Sequence, residues 1–231
     1  MPLVIFDLDD TLVDRAGLAR RWATEWAADH ALRADEVAWL VDADCGGYTP
    51  REAFFTAVRE RLGLDEPVPT LIEACRERMV ALVEPDPGAL RALVLLRRAG
   101  WRIAIVTNGD TALQRAKIRR SGLDAVVDAI AVSGELGVGK PDPRIFEVAA
   151  RRCGERLDGT GWMVGDSPQW DVVGGRGVGL RTIWLRHGRS WDDGLPAPDA
   201  AVDSLDEAVR ILTGGESAGA PPSDRSGRMP P

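Results

Sequence analysis

The sequence predicts an α/β protein, a mostly parallel sheet with helices on both faces and an inserted all-helical module. Three observations predict it. Leu3–Phe6 is a short apolar run rich in branched side chains, the composition of a buried central strand. From residue 88 onward, apolar strands alternate with helical segments, an order that calls for a parallel sheet. Between these two regions, residues 14–85 carry helical periodicity and no strand pattern.

Taken in order, the first helix spans Arg15–Asp29, where Leu18, Trp22 and Trp26 recur every four residues. The two tryptophans are read as core of the helical module rather than as a stacking platform. Residues 35–43 form a second short helix, followed by the glycine-bearing loop DADCGGY. Thr49 is expected to cap a third helix over 50–62, with Pro50 in its first position and Glu52 three residues past the cap. Thr70 opens a fourth over 70–83, and Pro85 to Gly88 reads as a turn. Then follow a helix over 90–99, a strand over 101–106, a basic helix over 111–121 and a strand over 126–132. A helix over 143–153, a strand over 161–164 and a glycine-weakened helix over 172–178 come next. The strand Arg181–Leu185, a short edge strand at Ala200–Val202 and a helix over 206–212 complete the order. Residues 1–13 and 86–212 are therefore expected as one core and 14–85 as an inserted helical module. Residues 213–231, rich in Gly, Ser and Pro without an apolar stripe, are expected to be a disordered tail.

The 231 residues suffice for one substantial core and a modest second unit. Hydrophobic residues make up 45% and charged residues 28%, as in ordinary soluble globular proteins. A formal charge of -7 argues against a nucleic-acid polymer as partner, although it leaves room for a local anion pocket. Cys45, Cys75 and Cys153 lie far apart and form no CxxC, which fits a reducing compartment and disfavours structural zinc. The opening MPLVIFDLDD is acidic rather than basic, and no apolar run reaches membrane-spanning length. The expected location is the cytoplasm, as monomer or homodimer, with no membrane partner.

The chemistry-bearing residues fall at the strand ends. Asp7 and Asp9 follow the first strand, where open α/β folds keep their ligands. Two carboxylates so close need a cation or a proton between them, and a cation leaves Asp7 free as nucleophile and Asp9 free to move a proton. Thr107 and Asn108 end the second strand in a turn suited to phosphate oxygens. Lys140, in GVGKP, can act as a point charge for both nucleophile and phosphoryl group. Asp166 ends the fourth strand and Asp171 lies five residues on, adding hard oxygen donors that suit magnesium. In the helical module, Tyr48 and Arg51 flank the glycine loop as candidate substrate-recognition groups.

Together DLDDT, TNG, GVGKP and GDSPQWD resemble the four signature motifs of the haloacid dehalogenase-like hydrolases, in order, over residues 1–212. The resemblance implies a phosphatase with a Rossmann-like core in which Asp7 forms an aspartyl-phosphate and Asp9 serves as general acid and base. It implies Mg2+ held by Asp7, Asp166 and the backbone carbonyl of Asp9, with Asp171 supporting the metal site. Thr107, Asn108 and Lys140 would bind phosphate. The helices after the first strand are similar to the cap of the phosphoglycolate phosphatase-like branch. TNGDTALQRAKIRRSGL with GVGKPDPRIFEVA resembles members acting on N-acylneuraminate 9-phosphate and on pyrimidine nucleotides. The expected substrate is thus a small phosphorylated metabolite: a sugar, sugar-acid or nucleoside monophosphate. The alternatives are a phosphomutase of the same fold, a dehalogenase, disfavoured by the presence of Asp9, and a non-catalytic phosphate-binding domain.

Overall fold

The structure is a computed structural model that describes residues 1–214. Six strands form one parallel sheet: β1 (Leu3–Phe6), β2 (Arg102–Thr107), β3 (Ala129–Val132), β4 (Trp162–Gly165), β5 (Arg181–Leu185) and β6 (Ala200–Val202). Their order is β3-β2-β1-β4-β5-β6. The chain therefore works outward from β1 in one direction, then returns and builds in the other. Where the direction reverses, at the carboxyl ends of β1 and β4, such sheets open a crevice.

The period-two alternation of β1 divides the core. Val4 and Phe6 face one side and pack with Ile103, Ile105, Leu93, Leu96 and Val209. Those last three come from α5 (Pro87–Arg98) and α10 (Leu205–Leu212). Leu3 and Ile5 face the other side, against Ala104, Val106 and the Ile145, Phe146 and Ala149 side chains of α8 (Pro143–Arg152). Both faces are covered, so every β1 residue is buried.

Between β1 and β2 lie α1 (Arg15–Asp29), α2 (Ala34–Asp44), a tight turn at Cys45–Gly47, α3 (Arg51–Leu62) and α4 (Val68–Leu82). Trp22 is buried, stacked on Trp26 at 5.8 Å and set edge-on to Phe55. The tryptophans are packing residues, as their spacing suggests. The remaining helices are α6 (Thr111–Arg120), the single turn α7 (Ser133–Leu136) and α9 (Val173–Gly177), the last entered through a wide turn at Pro168–Val172. No helix among the described residues is long and apolar enough to cross a membrane.

Several boundaries differ from the sequence-based expectation, each for a local reason. Thr49 does not cap α3: its hydroxyl donates to the Ala43 carbonyl at 2.7 Å, and Pro50 occupies the cap position. The Pro85 to Gly88 stretch is a helix start rather than a free turn, because the Asp86 carboxylate accepts the Gly88 N–H at 2.7 Å. The third strand begins at Ala129, since residues 123–125 form a 3₁₀ turn and Asp128 turns its carboxylate onto the Ile103 N–H. The tail expected to be disordered lies, from residue 215 on, outside the described residues.

Candidate active site

At the reversal point the ends of β1, β2 and β4 surround a cavity of about 400 Å3. Asp7 and Asp9 follow β1, Thr107 ends β2 with Asn108 behind it, and Asp166 follows β4. Lys140 enters from the loop between α7 and α8, and Tyr48 closes the cavity from the helical module. Directly after Asp7 the chain leaves the strand, with the Leu12 and Val13 N–H groups both donating to the Leu8 carbonyl at 2.9 Å. That turn buries Leu8 beneath the site and leaves both aspartates lining the cavity. Asp10 sits in it at φ 55°, a left-handed conformation that Asp tolerates better than most side chains.

Lys140 is the hub. Its Nζ donates to Asp7 Oδ1 at 2.5 Å and to Asp171 Oδ1 at 2.7 Å. Asp171 is fully buried and its other oxygen accepts the Ser167 N–H at 2.9 Å. Its carboxylate rests against the α-carbon of Gly165, where a β-carbon would stand 2.2 Å from Oδ2. Burial alone would lower the Lys140 pKa, but Asp171 and Asp7 outweigh it and keep the ammonium charged. Asp7 stands the other way. Burial raises its pKa well above the ordinary carboxylate value, Lys140 opposes that, and Asp171 and Asp166 add to it.

Asp9 has a separate set of partners. Lys117 Nζ donates to its two oxygens at 2.8 and 3.0 Å, and Gln114 Nε2 donates to Oδ2 at 2.9 Å. Burial pushes Asp9 up, yet Lys117, Arg15 and Gln114 more than offset it and hold the carboxylate below its usual range. Gln114 also reaches Thr107 Oγ1 at 2.6 Å, tying the β2 end to Asp9. Both Lys117 and Gln114 are buried on one face of α6, three residues apart.

The Asn108 side chain is committed elsewhere. Its amide donates to the Lys140 carbonyl at 2.9 Å and accepts the Lys140 N–H at 2.8 Å. This reciprocal pair clamps the Lys140 backbone, so Asn108 is a positioning group for that lysine. Tyr48 is exposed, with its ring 5.5 Å from Trp170 at the cavity mouth. Arg51 lies deeper in the module, its guanidinium on Asp44 Oδ1 at 2.6 Å.

Asp7, Asp166 and Asp171 each place a carboxylate oxygen within 4.8 Å of the others. The donors are all hard oxygens, the set that magnesium prefers. Both oxygens of Asp171 are already spent on Lys140 and Ser167, which leaves Asp7 and Asp166 as the carboxylates open to a cation. The electrostatics agree: burial and then Asp171 raise Asp166 to about 6, against the opposing pull of Arg189. A carboxylate raised in this way disfavours the folded state once it ionises. In the metal-free protein the cost develops as pH rises from about 4 to 6 and is fully present above that. Asp166→Asn should therefore raise metal-free stability at pH 7 by roughly 1–3 kcal/mol, and the gain should vanish at pH 4. Chemical denaturation of both proteins at the two pH values checks it; equal stability at pH 7 would contradict it.

Of the residues singled out from sequence, the structure brings Asp7, Asp9, Thr107, Asn108, Lys140, Asp166 and Tyr48 around this cavity and buries Asp171 behind Lys140, while Arg51 lies outside the lining. Sequence reading missed Lys117, Gln114, Arg15, Asp44 and Arg189. For the first two a signal existed: a Gln and a Lys three residues apart lie on the same helix face as Ile118's neighbours in the core, not on a solvated one.

With this geometry in view, comparison with known proteins gives a consistent answer. The haloacid dehalogenase-like hydrolase profile matches residues 1–179, and the chain belongs to that family. The pyrimidine 5'-nucleotidase YjjG of Escherichia coli is 36% identical over 159 residues, covering 68% of this chain and 69% of that protein. The phosphoserine phosphatase of Thermus thermophilus is 33% identical, covering 90% and 97%. Among solved structures, the magnesium-bound HAD hydrolase YfnB of Bacillus subtilis superposes with a TM-score of 0.78 at 25% identity, covering 91% and 98%. The protein is a phosphoric monoester hydrolase.

Proposed function

We propose that this enzyme is a magnesium-dependent phosphatase of small phosphate monoesters, working through a phosphoryl group carried on Asp7. The observation that carries the reading is the buried Lys140, bonded at once to Asp7 and Asp171 at the floor of the cavity. Such a lysine is held for one purpose at this place, to fix the nucleophile and meet phosphoryl oxygens. The substrate is a sugar, sugar-acid or nucleoside monophosphate; the differing names of the relatives do not select among these.

Asp7, Asp166 and the backbone carbonyl of Asp9 would hold the metal, with Asp171 as support through Lys140. Magnesium supplies positive charge that keeps Asp7 ionised despite its burial and draws charge from the phosphoryl oxygens. In the first half-reaction an Asp7 oxygen bonds to phosphorus as the ester P–O bond breaks. The departing oxygen takes its proton from Asp9. In the second, Asp9 removes a proton from water, the water oxygen bonds to phosphorus, and the bond to Asp7 breaks. Inorganic phosphate leaves and Asp7 is a carboxylate again. Thr107 and Lys140 contact the phosphoryl group, Asn108 holds Lys140 in register, and the helical module excludes bulk water. Tyr48 stands where the substrate enters.

The test is turnover across a panel of soluble phosphate monoesters, with and without magnesium. Exhaustive chelation should remove activity by a factor on the order of 100 or more, restored by added Mg2+. Full activity with negligible metal content would refute the metal assignment. A preference for a phosphopeptide over every small ester would refute the substrate class.

A further inference from the structure

Beyond Asp9 lies a second chamber of about 160 Å3 between α1, α4 and α6, one that Lys140 does not line. The two cavities share Asp9, Arg15, Gly47, Asn108 and Gly109. Because Asp9 faces the departing oxygen in the proposed reaction, what lies beyond Asp9 is room for the leaving group.

The charges of this chamber do not balance. Lys117 is answered by Asp9 at 2.8 Å, and Arg76 by Asp110 at 3.6 Å. Asp44, however, is shared by two guanidinium groups. Arg15 Nη2 donates to its Oδ2 at 2.5 Å and Arg51 Nη2 to its Oδ1 at 2.6 Å. Asp44 is 5% exposed and Arg15 9%, while the Arg51 side chain is 29% exposed, so the chamber lining carries one positive charge more than its own carboxylates answer. Arg15 can donate five N–H bonds, and one of its nitrogens is engaged by Asp44. Its guanidinium packs flat on Gly47, where a β-carbon would come within 2.6 Å of Nη2, and it lines both chambers. Asp44 first, then Asp9 and Asp10, offset the burial of this guanidinium, which stands beside the reaction centre with N–H groups to spare.

We propose that the physiological substrate carries a carboxylate on its leaving group, received in this chamber by Arg15 with Arg51 behind it. The proposal rests on the phosphatase reading above and narrows it to phosphorylated acids. A carboxylate matches the single excess charge, whereas a second phosphate dianion would exceed it. The planar guanidinium fork also suits a carboxylate. Asp44 then acts as a positioning residue, holding the two arginines at a fixed separation that neither would keep alone.

The experiment compares esters that differ only in the carboxylate: 3-phosphoglycerate against glycerol 3-phosphate, and O-phosphoserine against O-phosphoethanolamine. The wild-type enzyme should favour the carboxylated member of at least one pair by about 30-fold or more in kcat/KM. Arg15→Gln should cut that lead at least about tenfold, chiefly by raising KM for the acid. Because Arg15 is buried, Arg51→Gln is measured beside it, with folding of both checked by melting temperature. Equal kcat/KM within both wild-type pairs would overturn the inference and leave the phosphatase reading standing. So would equal losses on both members of a pair in both variants, or a preference for a sugar bisphosphate over every carboxylated monoester. Absence of turnover on any monoester would overturn both readings together.

Discussion

Asp7→Asn is expected to abolish turnover, with a loss on the order of 10⁴ or more in kcat, as for removal of other covalent nucleophiles. An amide has neither the charge nor the lone-pair basicity to form the phosphoryl bond. The substitution should nonetheless leave the site assembled. Lys140 keeps Asp171 at 2.7 Å, and Asn108 still clamps its backbone through two hydrogen bonds. Asp7 itself is disfavoured as an ion by burial and by the carboxylates of Asp171 and Asp166. A neutral amide removes that repulsion, so the metal-free melting temperature should hold or rise. Kinetics on an aryl phosphate and a thermal melt without metal check both halves. Turnover near wild type would mean that another group attacks phosphorus. A fall of more than about 5 °C, equivalent to some 1–2 kcal/mol in a chain this size, would mean that Asp7 is needed chiefly to balance Lys140.

What could be read from the sequence is what local geometry governs. Asp7, Thr107 and Asp166 each stand at the end of an apolar strand, and a parallel sheet brings consecutive strand ends together whatever the helices do. Asp171 was within reach because the turn from Ser167 to Asp171 is short. The partners of Asp9 belong to another kind of fact. Lys117 and Gln114 lie 108 and 105 residues away from it in sequence, and it is the approach of α6 to the turn after β1 that joins them. Helical spacing puts Lys117 on the face of Gln114 and Ile118, buried while Arg119 and Arg120 are exposed, but it does not name Asp9 as the partner. Arg51 shows the same limit from the other side. Its position beside a glycine loop was legible, but its pairing with Asp44, and through it with Arg15, depends on how α1, α2 and α3 meet. Thr49 failed as a cap because Ala43 offered its hydroxyl a carbonyl six residues back, a contact that no cap pattern encodes.

Asp9→Asn should impair turnover by a different route, and the difference separates the two aspartates. The variant keeps Asp7 as nucleophile but lacks the proton donor for the leaving oxygen and the base for water. General acid–base assistance is typically worth about 10² to 10⁴ in rate. An aryl phosphate has a leaving group that departs with little help, so the first half-reaction can proceed and the second stalls. Intact mass after rapid quench should then show an adduct of about 80 Da on Asp9→Asn, mapping to Asp7, and none on Asp7→Asn. Lys117 sharpens the test. In the resting site its ammonium holds Asp9 ionised, the form required to take a proton from water and the wrong one for giving a proton to the leaving group. Lys117→Met should therefore raise the Asp9 pKa, moving the rise of the second half-reaction to higher pH while easing proton donation in the first. With an alkyl phosphate the optimum should move upward; with an aryl phosphate at pH 6 the adduct should build up in this variant too. An adduct on Asp7→Asn would reassign the nucleophile. An unchanged pH profile in Lys117→Met, in a protein whose melt is intact, would show that Asp9 parts from Lys117 before any proton moves.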